Sequence, residues 1–167
     1  AHGQVTTGVI KIAGIGASAL AASALVGSKA TSVSGKAADL ALNTVLIAGT
    51  ANLANLLDLR PGRALKATVL VATPLSYFSC AAAKTPASGA SGAASATPAA
   101  PASASGASAQ RLLASGLNAA AITALVEDLQ ETTMLGDTGA NAAGALLGTS
   151  LAANDSWKLR LGTALGV

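Results

Sequence analysis

Long apolar stretches alternate with short polar breaks along this chain. Residues 9–27 are apolar apart from Lys11 and small hydroxyls. A helix of that length reaches about 28 Å, close to the thickness of a bilayer core. A polar link with Lys29 and Lys36 follows, then a second stretch over 38–57, interrupted by Asp39, Asn43, Asn52 and Asn55. Asp58-Leu59-Arg60-Pro61-Gly62-Arg63 makes a sharp basic turn before a third stretch over 64–83, where Pro74 is a candidate kink. Residues 110–129 predict a fourth helix, more polar and ending in Glu127 and Asp128. Thr132–Gly139 reads as a loop, 140–153 as a short fifth apolar segment and Asn154–Arg160 as a polar turn. A sixth helix starts near Leu161. The pattern therefore predicts an all-α, polytopic transmembrane bundle over 1–167, with about five spans plus the start of a sixth, 161–167.

Residues 84–109 break this rhythm. They are Ala, Ser, Gly and Pro with one charge, which predicts a flexible low-complexity external loop.

Composition points the same way. Hydrophobic residues make up 51% of the chain and charged residues 10%, too few charges for an ordinary soluble surface. Mean hydropathy is +0.57. Aromatics are 2%, so a water-soluble core would be poorly filled, whereas small residues suit close helix packing in lipid. The net charge is +3, but the basic residues are scattered and no aromatic–basic patch appears, so no nucleic-acid partner is expected. Cys80 is alone, which excludes an internal disulfide framework and suits a small buried hydrophobe. His2 is the sole histidine and reads as a bystander. Both ends read as cut, giving a piece of a longer chain.

Two spans separate the turn at 58–63 from the loop at 130–139, so both emerge on one side. Arg60, Arg63 and Lys66 cluster there, which assigns that side to the cytoplasm. Tyr77, Phe78 and Trp157 suit an interfacial belt on the far side. Lys11, near a span end, is expected to snorkel to the interface rather than face a cavity.

Two polar clusters stand at the cytoplasmic ends of spans. Asn52, Asn55 and Asp58, spaced by three, fall near one helical face. Polar groups there must line a wet cavity or meet partners. The plainer alternative is that the asparagines are interhelical glue and Asp58 pairs with Arg60 or Arg63. The second cluster is Met134-Leu135-Gly136-Asp137-Thr138-Gly139-Ala140-Asn141, running into Gly144 and Gly148. Asp137 or Thr138 could simply cap a helix. Alternatively, Asp137 could hold a divalent cation while the turn offers backbone N–H groups to phosphate. Glu127, Asp128 and Glu131 read as a solvated helix end.

Together these clusters resemble the polyprenyl-phosphate N-acetylhexosamine-1-phosphate transferases, whose members include phospho-N-acetylmuramoyl-pentapeptide transferase. Val5–Lys11 is similar to that family's lead into a span. The tight motifs cover about twenty residues, and the spacing of the spans between them also fits. The resemblance implies a Mg²⁺-dependent transfer of a sugar-1-phosphate from a UDP-sugar to a polyprenyl phosphate, releasing UMP at the cytoplasmic face of a bacterial plasma membrane. It makes Asp137 the metal aspartate and Asn55 and Asp58 its polar companions. Asn52, Gly136, Thr138 and Gly139 would contact substrate, and Arg60 and Arg63 are our candidates for a diphosphate clamp. Expected partners are the lipid phosphate, the nucleotide-sugar, the membrane and, as an option, a second copy in a homodimer. The chain departs from the family at Pro61, where an aspartate is common, and at Met134, where an aromatic is common. The family's upstream Asp-Asp pair and downstream His-rich loop are also missing from the chain. A fragment lacking them should be inactive alone. These departures motivate a competing reading as a catalytically degenerate envelope scaffold. A transporter subunit is the third reading.

Overall fold

The computed structural model describes residues 6–81 and 106–167, with side chains over 6–77 and 108–167. The expectations for His2, for the side chains of Phe78 and Cys80, and for most of the low-complexity loop lie outside the described residues. The described part is entirely helical. In order come α1 (Thr7–Val26), α2 (Val33–Leu57), α3 (Arg63–Ala81), α4 (Gly106–Leu129), α5 (Gly136–Ala152) and α6 (Trp157–Leu165).

Local chemistry sets the boundaries. The Thr6 hydroxyl accepts the Val9 N–H to start α1, and Ser32 accepts from Gly35 to start α2, each satisfying a donor that has no partner in the first turn. Gly27, at φ 77°, ends α1 and donates its N–H to the Ser23 carbonyl. Ser156 caps α6 by accepting from Leu159. That cap starts α6 at Trp157, four residues before the expected Leu161, so Trp157 and Arg160 lie in a helix rather than a polar turn. The loop expected over 84–109 is also too long at its far end, since 106–109 already belong to α4.

The most extensive packing joins α2 to α5. Ala140, Gly144, Gly148 and Ala152 recur every four residues along α5, and all four are buried. A Cβ on Gly144 would lie 2.7 Å from the Ala51 Cα, and one on Gly148 2.7 Å from the Ile47 Cα. This stripe of small residues lets the α5 backbone rest directly on α2, the contact that dispersion rewards where hydrophobic burial offers little. Leu46 and Ile47 of α2 fill the surrounding core with Ala19 of α1 and Leu151 of α5.

The other helices join this pair through packing and a few polar bonds. Thr73 of α3 donates to Asn118 of α4 at 3.2 Å. The Ser150 hydroxyl on α5 donates to the Gln110 carbonyl on α4 at 3.1 Å, and Asn154 donates to the Gln110 side-chain oxygen at 2.9 Å.

Among the described residues three helices are long and apolar enough to cross a membrane: α1, α2 and the 108–129 portion of α4. Large apolar side chains on the outside of α1, such as Ile12 and Leu25, suit lipid contact. The expectation of five spans was higher. The 19 residues of α3 include Arg63, Lys66, Pro74 and several hydroxyls, while the 17 residues of glycine-rich α5 reach only about 25 Å.

Candidate active site

Connectivity gathers the start of α1, the end of α2, the start of α3, the end of α4 and the start of α5 at one end of the bundle. This acidic end holds most of the residues that the sequence singled out.

Asp58 caps α2, with its N–H bonded to the Ala54 carbonyl at 3.1 Å. Its half-buried carboxylate accepts the backbone N–H of Gly136, the first residue of α5. Burial, the negative charge of Asp128 and, more weakly, that of Asp137 push its pKa above the ordinary carboxylate range, against the stabilising N–H. Among the described residues Asp58 forms no ion pair with Arg60 or Arg63, so the pairing considered from sequence is not made. Both arginines are exposed.

Asp137 sits in the first turn of α5, where the helix dipole favours an anion. It does not cap the helix, and neither does Thr138, because no side-chain cap bond forms there. Instead its Oδ2 meets Lys11 Nζ of α1 at 2.7 Å, with the two side chains 73% and 38% exposed. Lys11 therefore reaches the end of the bundle and finds a carboxylate.

Asp128 departs most from the sequence reading. Expected at a solvated helix end, it is 4% exposed. Its carboxylate accepts the Gly62 N–H from the turn before α3 and the Leu135 N–H, at 3.3 Å, from the loop before α5. Buried carboxylates need such partners. Sequence gave one overlooked signal. Gln110, Ala114, Leu117, Ala121 and Asp128 are all buried, at offsets of four, three, four and seven, so Asp128 continues the inward stripe of α4.

Two glycines make this junction. Gly62 has φ 74° and Gly136 φ 65°, a region that suits glycine, and a Cβ on Gly62 would press on Leu129. The N–H groups of Leu135 and Gly136, which sequence offered to phosphate, are engaged by Asp128 and Asp58. Thr138 is exposed, and Gly139 accommodates the Leu135 side chain, since a Cβ there would come within 2.8 Å of it.

The three polar residues of α2 do not act as one face. Asn52 is exposed, whereas Asn55 and Asp58 are half-buried. The Oδ1 atoms of Asn55 and of Asn141, one turn from Asp58 and Asp137 respectively, are buried without a hydrogen-bond partner. Orphaned acceptors of this kind call for a donor or a cation.

Comparison with protein-family models, curated proteins and solved structures finds no match.

The site must therefore be judged on its own donors. No group of three or more His, Cys, Asp or Glu residues among those described is arranged to hold a metal. A small hard cation needs less, since Mg²⁺ is commonly held by one or two carboxylates with water and phosphate completing its shell. Asp137, exposed at the start of α5, fits an open site of that kind as one carboxylate ligand. It does not fit a closed all-protein cage.

Proposed function

We propose that this protein transfers a sugar-1-phosphate from a UDP-sugar to a polyprenyl phosphate in a membrane, in cell-wall or surface-glycan synthesis. The observation that supports the reading is the meeting of Asp58 and the Asp137 turn at one end of the bundle, through the Gly136 N–H. Mg²⁺, when bound, would offset the repulsion between the two phosphate-bearing substrates. Asp137, with Asn55 beside Asp58, would hold it. Arg60 and Arg63, exposed on the adjoining turn, are free to reach a diphosphate.

Asp58 would act as the base at this step. Its raised pKa suits taking the proton of the lipid phosphate as that oxygen attacks the sugar-bearing phosphorus. A new P–O bond forms to the lipid, the bond to UMP breaks, and UMP leaves. The acceptor phosphate lies at the membrane boundary, as do the ends of spans α1, α2 and α4.

The test is UMP release by the full-length protein from UDP-sugars, with undecaprenyl phosphate and Mg²⁺. Asp137→Asn is expected to lower the rate by at least about 100-fold. An unchanged rate in that variant, or no release with any UDP-sugar, contradicts the reading.

One observation favours the scaffold alternative. The Lys11 ammonium already offsets the charge of Asp137, doing in part what a cation would do. A scaffold predicts that no UMP is released and that Lys11→Met, which removes this counter-charge, impairs envelope assembly.

A further inference from the structure

We infer that Asp128 is the positioning residue of the acidic end, a carboxylate clasp that holds the α2–α3 turn against the start of α5. The chemical role of the clasp rests on the transferase reading, whereas its geometry does not.

Asp58 and Asp137 lie far apart in sequence on helices that run in opposite directions. The glycine stripe sets the depth of α5 on α2, but it lies further along α5 and leaves the loops at this end to find their own place. Both loops turn at glycines with positive φ, Gly62 and Gly136, which are freer than other residues when nothing ties them down.

Asp128 supplies the tie. One oxygen accepts the Gly62 N–H and the other the Leu135 N–H. The next amide, that of Gly136, is then directed at Asp58. Two consecutive N–H groups thus grip two carboxylates from two different helices. Burial strengthens the arrangement, because at 4% exposure water competes poorly for these donors. The geometry also explains a cost. Holding Asp128 beside Asp58 places a second negative charge where Asp58 is already partly desolvated. A carboxylate retained at such a place serves the register of the loops more than their electrostatic comfort.

Amide hydrogen exchange in nanodiscs tests the clasp without substrate. In Asp128→Ala the Gly62 and Leu135 amides are expected to exchange at least about tenfold faster, with Gly136 following, while the α2 amides of Leu46 and Ile47 keep their wild-type rates. Uniform acceleration across α2 as well would mean general destabilisation and would overturn the inference. Asp128→Asn covers the case in which the alanine variant does not fold. It keeps the volume and one acceptor, so one of the two amides should be released and the other kept. Glu127→Gln, an exposed neighbour, is the control. Unchanged exchange at both Gly62 and Leu135 in Asp128→Asn overturns the inference.

The activity arm separates the clasp from the transferase reading. If UMP release is found, Asp128→Asn should raise the half-saturating Mg²⁺ concentration several-fold, which a smaller fraction of folded protein would not do. If no release is found, the transferase reading fails and the exchange result still decides the clasp.

Discussion

The two ends of the bundle handle charge in opposite ways. At the far end Arg160 of α6 is buried and donates to Asn43 at 2.9 Å and to Asp39 at 3.0 Å, both on α2. Asp39 also accepts the Ser28 hydroxyl at 2.7 Å, and Lys29 pairs with Asp155. Both carboxylates there have a cationic partner; Arg160 and Ser28 tie α6 and the α1–α2 link to α2, and Lys29 ties that link to the α5–α6 turn. At the acidic end Asp58, Asp128 and Asp137 gather with, among the described residues, one direct ionic partner, Lys11. Each end also buries polar atoms without a partner: the Asn55 and Asn141 oxygens here, the Asn43 Nδ2 and Arg160 Nε there. Paired, buried charge serves architecture at the far end. Carboxylates that outnumber their direct cationic partners are the reason we propose the acidic end as the place where a cation binds.

The largest expected effect tests the balanced end. Arg160→Ala leaves buried Asn43 without its donor and Asp39 without its cation, and should cost about 3 kcal/mol or more in reversible unfolding. The double variant Asp39→Asn/Arg160→Met, with both charges removed, should lie within about 1 kcal/mol of wild type. Equal losses in the single and double variants would erase the contrast between the ends.

A smaller effect is expected from Lys11→Ala. The Lys11–Asp137 pair is largely exposed, so its loss should cost under about 1 kcal/mol and fade in high salt. A salt-independent loss as large as that of Arg160→Ala would show that the acidic end is locked in the same way.

The smallest effect concerns pH. The pKa of Asp58 is raised in the folded protein, so the folded state holds that proton more tightly than the unfolded state does. The Asp58 contribution to stability should therefore be greatest below the ordinary carboxylate pKa and fall as pH rises through the raised one. Thermal unfolding of wild type against Asp58→Asn reads this directly, since the difference between them should drift in favour of the variant as pH increases. A drift in the other direction would mean that Asp58 is ionised more readily in the fold than out of it.

Much of the bundle was legible in the sequence because apolar length and caps are local signals. The stretches at 9–27 and 38–57 became α1 and α2 with the starts moved back to the Thr6 and Ser32 caps. The loop expected over Thr132–Gly139 ran too far, because α5 already begins at Gly136, where the glycine's positive φ turns the chain into the helix. What escaped was tertiary. Asp128 is buried by amides at positions 62 and 135, and nothing in its own neighbourhood announces them. Arg160 looked like part of a turn because its partners, Asp39 and Asn43, lie more than a hundred residues earlier. Asn52 looked equivalent to Asn55 by spacing, but only residues that turn toward α5 or the α3 turn gain partners or burial, and Asn52 faces outward. Of the five expected spans, α1, α2 and α4 are long and apolar enough to cross a membrane among the described residues, while α5 packs by small residues and is shorter, a property that apolar content alone does not reveal.

We propose that the acidic end binds a divalent cation through Asp137 beside Asp58. Electron paramagnetic resonance of Mn²⁺ added to the full-length protein in nanodiscs, with UDP-sugar present, measures this most directly. The account predicts one bound Mn²⁺ per chain, lost in Asp137→Asn and retained in Glu127→Gln. Binding that survives Asp137→Asn unchanged, or no binding at all in wild type, would contradict it.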